Sequence, residues 1–357
     1  MSQPRVTVLM PVFNVEKHLR AAVDSVLSQT FSDFEFLIID DCSTDGTAGI
    51  LAAYDDPRIV LARNPQNLGI VASLNRGIGR ARGEYIARMD GDDICLPERL
   101  TAQVAYMDAN PAVVLLGTKY THIDDDGQFV YHGGEMPPPP EPGTPGYMRW
   151  SLLWMTSVQH PTAMIRRSAL ADMQYDAAYF TAEDYDLWAR LSHRGQVARL
   201  QQIHLHYRVN PAGISTTRRQ QQLDTHYRIM HRELCALMDA PLSEADTRVL
   251  FQMVVPQQPK GAPQEVIPGA DLVAALRTYW AIRRRCFAVF QLQAEERAHI
   301  DREADRVLRR MLAYARAYSD GRERLALRAW LMRHAPGLFV RLAGEFIRSK
   351  QRRPTGT

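Results

Sequence analysis

The chain predicts an α/β fold: a mostly parallel sheet covered by helices on both faces, followed by a helical C-terminal extension. Three observations predict it. Short apolar runs alternate with segments of helical period through the first half. Three carboxylates, Asp90, Asp92 and Asp93, stand at the end of one apolar run, where a parallel sheet presents its ligands. From about Gln220 onward the pattern is helical, apart from a Pro/Gln/Gly-rich interruption at residues 256–268.

The first strand is expected at residues 6–10, VTVLM, with Pro11 next. A helix at 16–28 leads to a second strand at 34–40, FEFLIID. Ser43 or Thr44 is expected to cap a helix at 47–54. A strand at 59–62, a helix at 69–81 and a strand at 85–89 follow. Pro97, at a plausible first helical position before Glu98, opens a helix at 97–110. A strand at 113–120 precedes PPPPEPGTPG at 137–146, which reads as a stiff loop because proline removes donors and fixes φ. Beyond it, 148–155 reads as helix and 163–165 as strand. Residues 183–193 read as a helix with Leu187, Trp188 and Leu191 on one face, and strands at 197–200 and 203–208 close this half. Two long amphipathic segments, 271–318 and 322–349, end the chain, and there is no internal repeat. The expected organisation is a catalytic domain at 1–220, a helical connector at 221–270 and a basic helical extension at 271–357.

A chain of 357 residues with 46% apolar and 23% charged residues is globular. Cys42, Cys95, Cys235 and Cys286 show no short Cys-x-x-Cys spacing, so neither a zinc site nor a disulfide framework is indicated, and a reducing cytoplasm fits. The N-terminus reads as a strand and not as a signal peptide. No uncharged apolar run reaches the roughly 18 to 20 residues of a membrane span. The net charge of +3 hides an asymmetry: residues 277–357 hold 19 Lys and Arg against 8 Asp and Glu. An acidic body suits metal and substrate, and a basic tail suits an anionic surface.

The segment RGEYIARMDGDDICLPERL offers hard oxygens from Asp90, Asp92 and Asp93 to Mg²⁺ or Mn²⁺, with Gly91 allowing a sharp turn between the acids. Four further segments accompany it: VTVLMPVFNVEKHL, FEFLIIDDCSTDGT, NLGIVASLNRGIGRARGEYIARMDGDD and TAEDYDLWARLSHRG. In that order and spacing they resemble the family-two glycosyltransferases of the GT-A fold, a Rossmann-like nucleotide-diphospho-sugar transferase architecture. The resemblance covers roughly residues 5–216 and does not extend to the tail.

The resemblance implies the following roles. Pro11, Phe13 and Asn14 hold the nucleobase and ribose of a nucleoside diphosphate sugar, and Asp41 accepts a hydrogen bond from a uracil-like N–H. Asp40 fixes its loop through backbone donors, Gly69 allows close approach to the base, and Asn67 and Asn75 hold loop and helix. Asp92 is the metal ligand for Mn²⁺ or Mg²⁺, and Asp90 contacts ribose or a metal-bound water. Asp184, at the positive end of a helix, is the general base that deprotonates the acceptor hydroxyl. Arg208, with His206, Tyr207 and Ser215, belongs to a terminal loop over the diphosphate. Arg82 and Arg88 reach a phosphate or pair with acids, and His160 lines the acceptor pocket or is structural. The family's Gly-Gly pair before the base is replaced by Met173-Gln174-Tyr175-Asp176.

The expected function is therefore a metal-dependent inverting transfer from a nucleoside diphosphate sugar, a UDP-sugar by the Asp41 reading, to a carbohydrate or lipid-linked acceptor in cell-envelope polysaccharide assembly. A sugar nucleotidyltransferase would want a Gly-rich basic loop after the first strand, which PVFNVEKHL is not. A non-catalytic binding protein of the same fold would not need Asp41, Asp92 and Asp184 together. In the tail, Leu276, Tyr279, Trp280, Phe287 and Phe290 recur at helical spacing opposite Arg283, Arg284 and Arg285. This face packs within the protein, or the tail meets the inner face of the cytoplasmic membrane with Trp280, Trp330 and Phe339 in the interface. No recognition motif points to nucleic acid.

Overall fold

The computed structural model describes residues 3–130, 142–210, 213, 217–255 and 271–334. The chain divides into two compact units, Met1–Ile229 and Met230–Thr357.

The first unit is an eight-stranded sheet, β1 (Val6–Val12), β2 (Phe34–Asp40), β3 (Ile59–Arg63), β4 (Tyr85–Arg88), β5 (Ile94–Cys95), β6 (Val113–Ile123), β7 (Met164–Arg166) and β8 (Gln196–Arg208), in the order β3-β2-β1-β4-β7-β6-β8-β5. The strands β3, β2, β1 and β4 run parallel, as do β6 and β8, while β7 is antiparallel to both its neighbours. Every residue of β1 and β2 is buried. Val8, Met10, Phe36 and Ile38 enter one core, and Leu9, Leu37 and Ile39 enter the other. Apolar side chains on both faces are what a sheet covered on both sides requires. Helix α1 (Glu16–Leu27) and α4 (Arg99–Ala109) contribute to the first core. Helix α3 (Ile70–Arg80) and α6 (Glu183–Leu191) contribute to the second. Gly77 lets α3 lie on β1, since a Cβ there would come within 2.2 Å of Leu9 Cδ1. The chain returns from β3 past β1 to form β4, so the carboxyl ends of β1 and β4 flank a topological switch point.

Several expected boundaries shift, each for a local reason. Helix α2 (Thr47–Ala52) is capped by neither Ser43 nor Thr44. Asp45 Oδ1 accepts the Thr47 N–H at 3.0 Å, and Ser43 Oγ accepts the Asn14 N–H at 3.1 Å. Pro97 does not open α4, because its carbonyl is drawn to the Thr30 N–H at 2.9 Å and the helix begins at Arg99. Pro145 stands in the first turn of α5 (Pro145–Leu152), where its missing N–H costs nothing; residues 137–141 of the expected stiff loop lie outside the described residues. The two strands expected at 197–200 and 203–208 are one strand, β8, with irregular register against β6.

Helix α7 (Arg219–Met238) carries the division between units. The second unit adds α8 (Glu244–Val254), α9 (Leu272–Val289), α10 (Ala294–Tyr318) and α11 (Gly321–His334). The expected segment 271–318 is two helices, because a capping box of Gln293 and Glu296 starts α10 afresh. Trp330 is buried and meets Trp280 edge to face at 5.4 Å, so these rings pack on one another instead of facing a lipid interface. Residues 335–349 and Phe339 lie outside the described residues, as do 256–268. No helix among the described residues is long and apolar enough to cross a membrane.

Candidate active site

The carboxyl ends of β1 and β2 and the start of α3 form one loop cluster. Pro11 is buried within β1 and Phe13 is 43% exposed beyond it. Asn14 adopts φ +51°, in the left-handed region where Asn is tolerated, and its Oδ1 accepts the Thr44 N–H at 2.8 Å. Asp40 Oδ1 accepts the Ser43 N–H at 2.9 Å, as the expected loop anchor. Asp41 is buried and heavily committed. Its Oδ1 accepts from Asn64 Nδ2 at 2.6 Å and Leu68 N–H at 2.9 Å, and its Oδ2 accepts from Gly69 N–H at 2.8 Å. Gly69, at φ +84°, turns the chain into α3. Asn64 and Leu68, which complete this arrangement, carry no signal of their own in the sequence. Asn75, by contrast, holds Tyr175 through a reciprocal pair of 2.9 Å bonds.

The end of β4 carries the acids. Asp90, Asp92 and Asp93 bring carboxylate oxygens within 4.8 Å of one another. Gly91 between them is needed for space and not for turning: its φ is not positive, and a Cβ would meet Val12 Cγ1 at 2.9 Å. Burial first, and the neighbouring Asp90 charge second, push the Asp92 carboxyl up to about 6. The same two causes, joined by Asp92, push Asp93 well above the ordinary range. Asp93 Oδ1 accepts the Arg208 N–H at 2.7 Å, while its buried Oδ2 has no hydrogen-bond partner. Three crowded carboxylates with a buried oxygen left over form a donor set that fits a hard divalent cation. Arg88 is buried beneath them, paired with Asp90, and its Nε also lacks a partner.

Arg208, at the end of β8, holds this loop from below. Its Nε donates to the Asp92 carbonyl at 2.8 Å, and one Nη donates to the carbonyls of Asp124 at 2.5 Å and Asp125 at 3.1 Å.

Helix α6 supplies the facing acid. The helix is pinned by Tyr185 Oη on the Leu152 carbonyl at 3.0 Å and by Trp188 Nε1 on the Val158 carbonyl at 3.1 Å. Asp184 sits in its first turn, where the helix dipole favours a carboxylate. One face of Asp184 reaches open space while the rest is packed in protein. This burial, and then the adjacent Glu183 charge, push its carboxyl up to about 7. Thr181, two residues before Glu183, adopts φ +82°, which is a strained conformation for a β-branched residue.

A cavity of about 530 Å³ joins these parts. Asp90, Asp92, Glu183, Asp184, Arg88 and Arg208 line it, together with Thr156, Gln159, His160, Tyr207, Gln222 and His226. Pro11, Phe13, Asn14, Asp41 and Gly69 are not in its wall, although Ile70, next to Gly69, is. His160 is buried, held neutral by that burial and by the Arg88 charge, with Nε2 2.8 Å from Tyr175 Oη. Thr181, Thr156, Gln159 and Gln222 were not foreseen. The positive φ of Thr181 has no sequence signature, and the others lie on loops and a helix outside the quoted motif segments.

The sequence model described as Glycosyl transferase family 2 matches residues 7–173. The chain is 34% identical over 249 residues to "Putative glycosyltransferase EpsE" of Bacillus subtilis (strain 168), spanning 68% of this chain and 86% of that one. It is 27% identical over 214 residues, 60% of this chain and 80% of the other, to "UDP-Glc:alpha-D-GlcNAc-diphosphoundecaprenol beta-1,3-glucosyltransferase WfaP" of Escherichia coli. Among solved structures, S. aureus TarS 1-349 in complex with UDP superposes over 90% of both chains, with a TM-score of 0.51 and 18% identity. That likeness is one of fold.

Proposed function

The chain belongs to glycosyl transferase family 2 and is a glycosyltransferase with relatives in polysaccharide biosynthesis; from that premise we propose that it transfers one sugar, with inversion, from a UDP-sugar to a hydroxyl of a carbohydrate or lipid-linked acceptor in cell-envelope polysaccharide assembly. The observation that carries this reading is that Asp92 and Asp184 line one cavity of ligand size. WfaP, by its name, uses UDP-glucose and an undecaprenol-linked acceptor, which supports both the donor and acceptor assignments.

Asp92, with Asp90 beside it, would hold Mn²⁺ or Mg²⁺, which supplies Lewis-acid stabilisation to the departing nucleoside diphosphate. Pro11, Phe13, Asn14, Asp41 and Gly69 receive the nucleoside at the carboxyl ends of β1 and β2. Arg208 keeps the acid loop in register and lends a fixed positive charge near the diphosphate. Asp184 accepts the proton of the acceptor hydroxyl as its oxygen bonds the anomeric carbon and the bond from that carbon to the diphosphate oxygen breaks. A base that titrates near neutral pH is suited to that transfer. A single displacement inverts the anomeric centre.

The second unit supports a peripheral membrane role through α11, where Leu325 is 67% and Met332 50% exposed beside the exposed Arg322, Arg328 and Arg333. The experiment that tests the main reading scores nucleoside diphosphate release from a panel of nucleotide sugars, with and without Mn²⁺. Release from a UDP-sugar that requires the cation is expected. Undiminished release in excess chelator would overturn the metal role, and no release from any donor would overturn the reading itself.

A further inference from the structure

The cavity that holds Asp184 carries an uneven charge pattern with a consequence for the acceptor. Among the described residues that line it, four are carboxylates, Asp90, Asp92, Glu183 and Asp184, and two are guanidiniums, Arg88 and Arg208. Neither guanidinium is uncommitted. Arg88 is paired with Asp90, and Arg208 donates to the carbonyls of Asp92, Asp124 and Asp125. A divalent cation on the acid cluster would be matched by the donor's own diphosphate, which leaves nothing positive for a second anion.

The other polar groups of the wall are uncharged. Gln222 Nε2 donates to the Thr181 carbonyl at 2.9 Å, which fixes its amide and leaves Oε1 as an acceptor. Gln159 and Thr156 are half-buried and add an amide and a hydroxyl. His226 stacks edge to face on Tyr185 at 5.2 Å, and burial depresses its imidazole to about 4, so it is neutral at physiological pH. Amides, a hydroxyl and a neutral imidazole are the groups that read sugar hydroxyls, and none of them would compensate a carboxylate brought beside Glu183 and Asp184.

We infer that the acceptor subsite takes an uncharged sugar residue, reads its hydroxyls through Gln222, Gln159 and His226, and rejects uronates and other anionic sugars. Any phosphate of a lipid-linked acceptor then lies outside this cavity. The inference rests on the glycosyltransferase reading of the site and narrows it to a substrate class.

The test uses the full chain with Mn²⁺ and whichever nucleotide sugar it hydrolyses. Two aryl glycosides with one aglycone, a glucoside and a glucuronide, are compared in transfer and in their effect on nucleoside diphosphate release. A sugar seated beside Asp184 alters that release even where it is a poor acceptor. The glucoside is expected to act at concentrations at least tenfold lower than the glucuronide. In Gln222→Arg, which supplies an unpaired cation, the ratio should shift toward the glucuronide by tenfold or more. Because each ratio is taken within one protein preparation, loss of overall rate does not affect it. Equal or better action of the glucuronide on the unmodified protein overturns the inference while leaving donor hydrolysis, and so the broader reading, intact. Absence of release from every donor removes the broader reading instead.

Discussion

Two carboxylates at the same edge of the sheet live in opposite conditions. Asp41, past β2, accepts three hydrogen bonds from Asn64, Leu68 and Gly69. Asp92, past β4, is crowded by Asp90 and pushed up to about 6, and its neighbour Asp93 keeps a buried oxygen without a partner. The first acid is held by the protein's own donors, which fix its carboxylate and its loop at the place proposed for the nucleoside. The second group is left short of positive charge, as a site must be if a ligand is to supply it. Acids that read alike in sequence are thus told apart by how many of their hydrogen bonds the protein itself supplies.

The largest effect expected from breaking this contrast is at Asp92. Asp92→Asn should abolish transfer and weaken nucleotide binding in Mn²⁺, with little further loss on adding EDTA; isothermal titration with the nucleoside diphosphate checks this. Asp184→Asn comes next. It should lower kcat by roughly 10²-fold to 10⁴-fold, the usual contribution of a positioned base, while donor binding measured in the same way stays unchanged. Wild-type turnover in this variant would reassign Asp184 to a helix-start role.

Stability should order the two regions the other way. Asp41→Ala removes the acceptor of the buried Asn64 Nδ2 and of the part-buried Leu68 and Gly69 N–H groups and should cost about 1–3 kcal/mol in urea unfolding of the metal-free protein, the range for leaving a polar group without its partner. Asp92→Asn should cost nothing or raise the midpoint at pH 8, because it removes one of three mutually repelling acids. A larger loss at Asp92 than at Asp41 would refute the contrast.

The smallest effect is the pH trend. Asp184 and Asp92, pushed up to about 7 and about 6, bind more protons in the native state than in the unfolded chain between about pH 4 and pH 7. Their contribution is therefore fully present at low pH and lost as pH rises through those values. Glu35 has the opposite slope, since bonds from Thr7 and Arg82 outweigh its burial and hold it low. The measurable quantity is thus a difference: the metal-free wild type should lose more Tm between pH 5 and pH 8 than Asp184→Asn does. Parallel curves for the two proteins would count against the raised value.

Much of this architecture was legible in the sequence because β1, β2 and α6 are apolar on the faces that must be buried, and because Asp41 directly follows β2 and Asp184 opens α6. The strand at Phe34–Asp40 and the helix start at Glu183 coincide with expectation. What escaped reading was set by tertiary partners. Gly91 suggested a turn, yet Val12 demands its missing side chain. Arg208 suggested a loop over the diphosphate, and the three carbonyls from two other loops that also hold its guanidinium were not announced. Pro97 suggested a helix start, yet Thr30 claims its carbonyl. The neutral wall of Gln159, Gln222 and His226 comes from segments that meet only after the sheet closes, so no local pattern announces it.

The Arg208 clamp also bears on how the molecule is made. Arg208 N–H meets Asp93 across 115 residues of chain, and its side chain grips the Asp92 carbonyl. On a ribosome, the three acids leave the exit tunnel long before the strand that holds them. Closing so long a span is slow relative to the local helices. A nascent or truncated chain ending before Arg208 therefore carries the acids without their support until β8 is laid into the sheet.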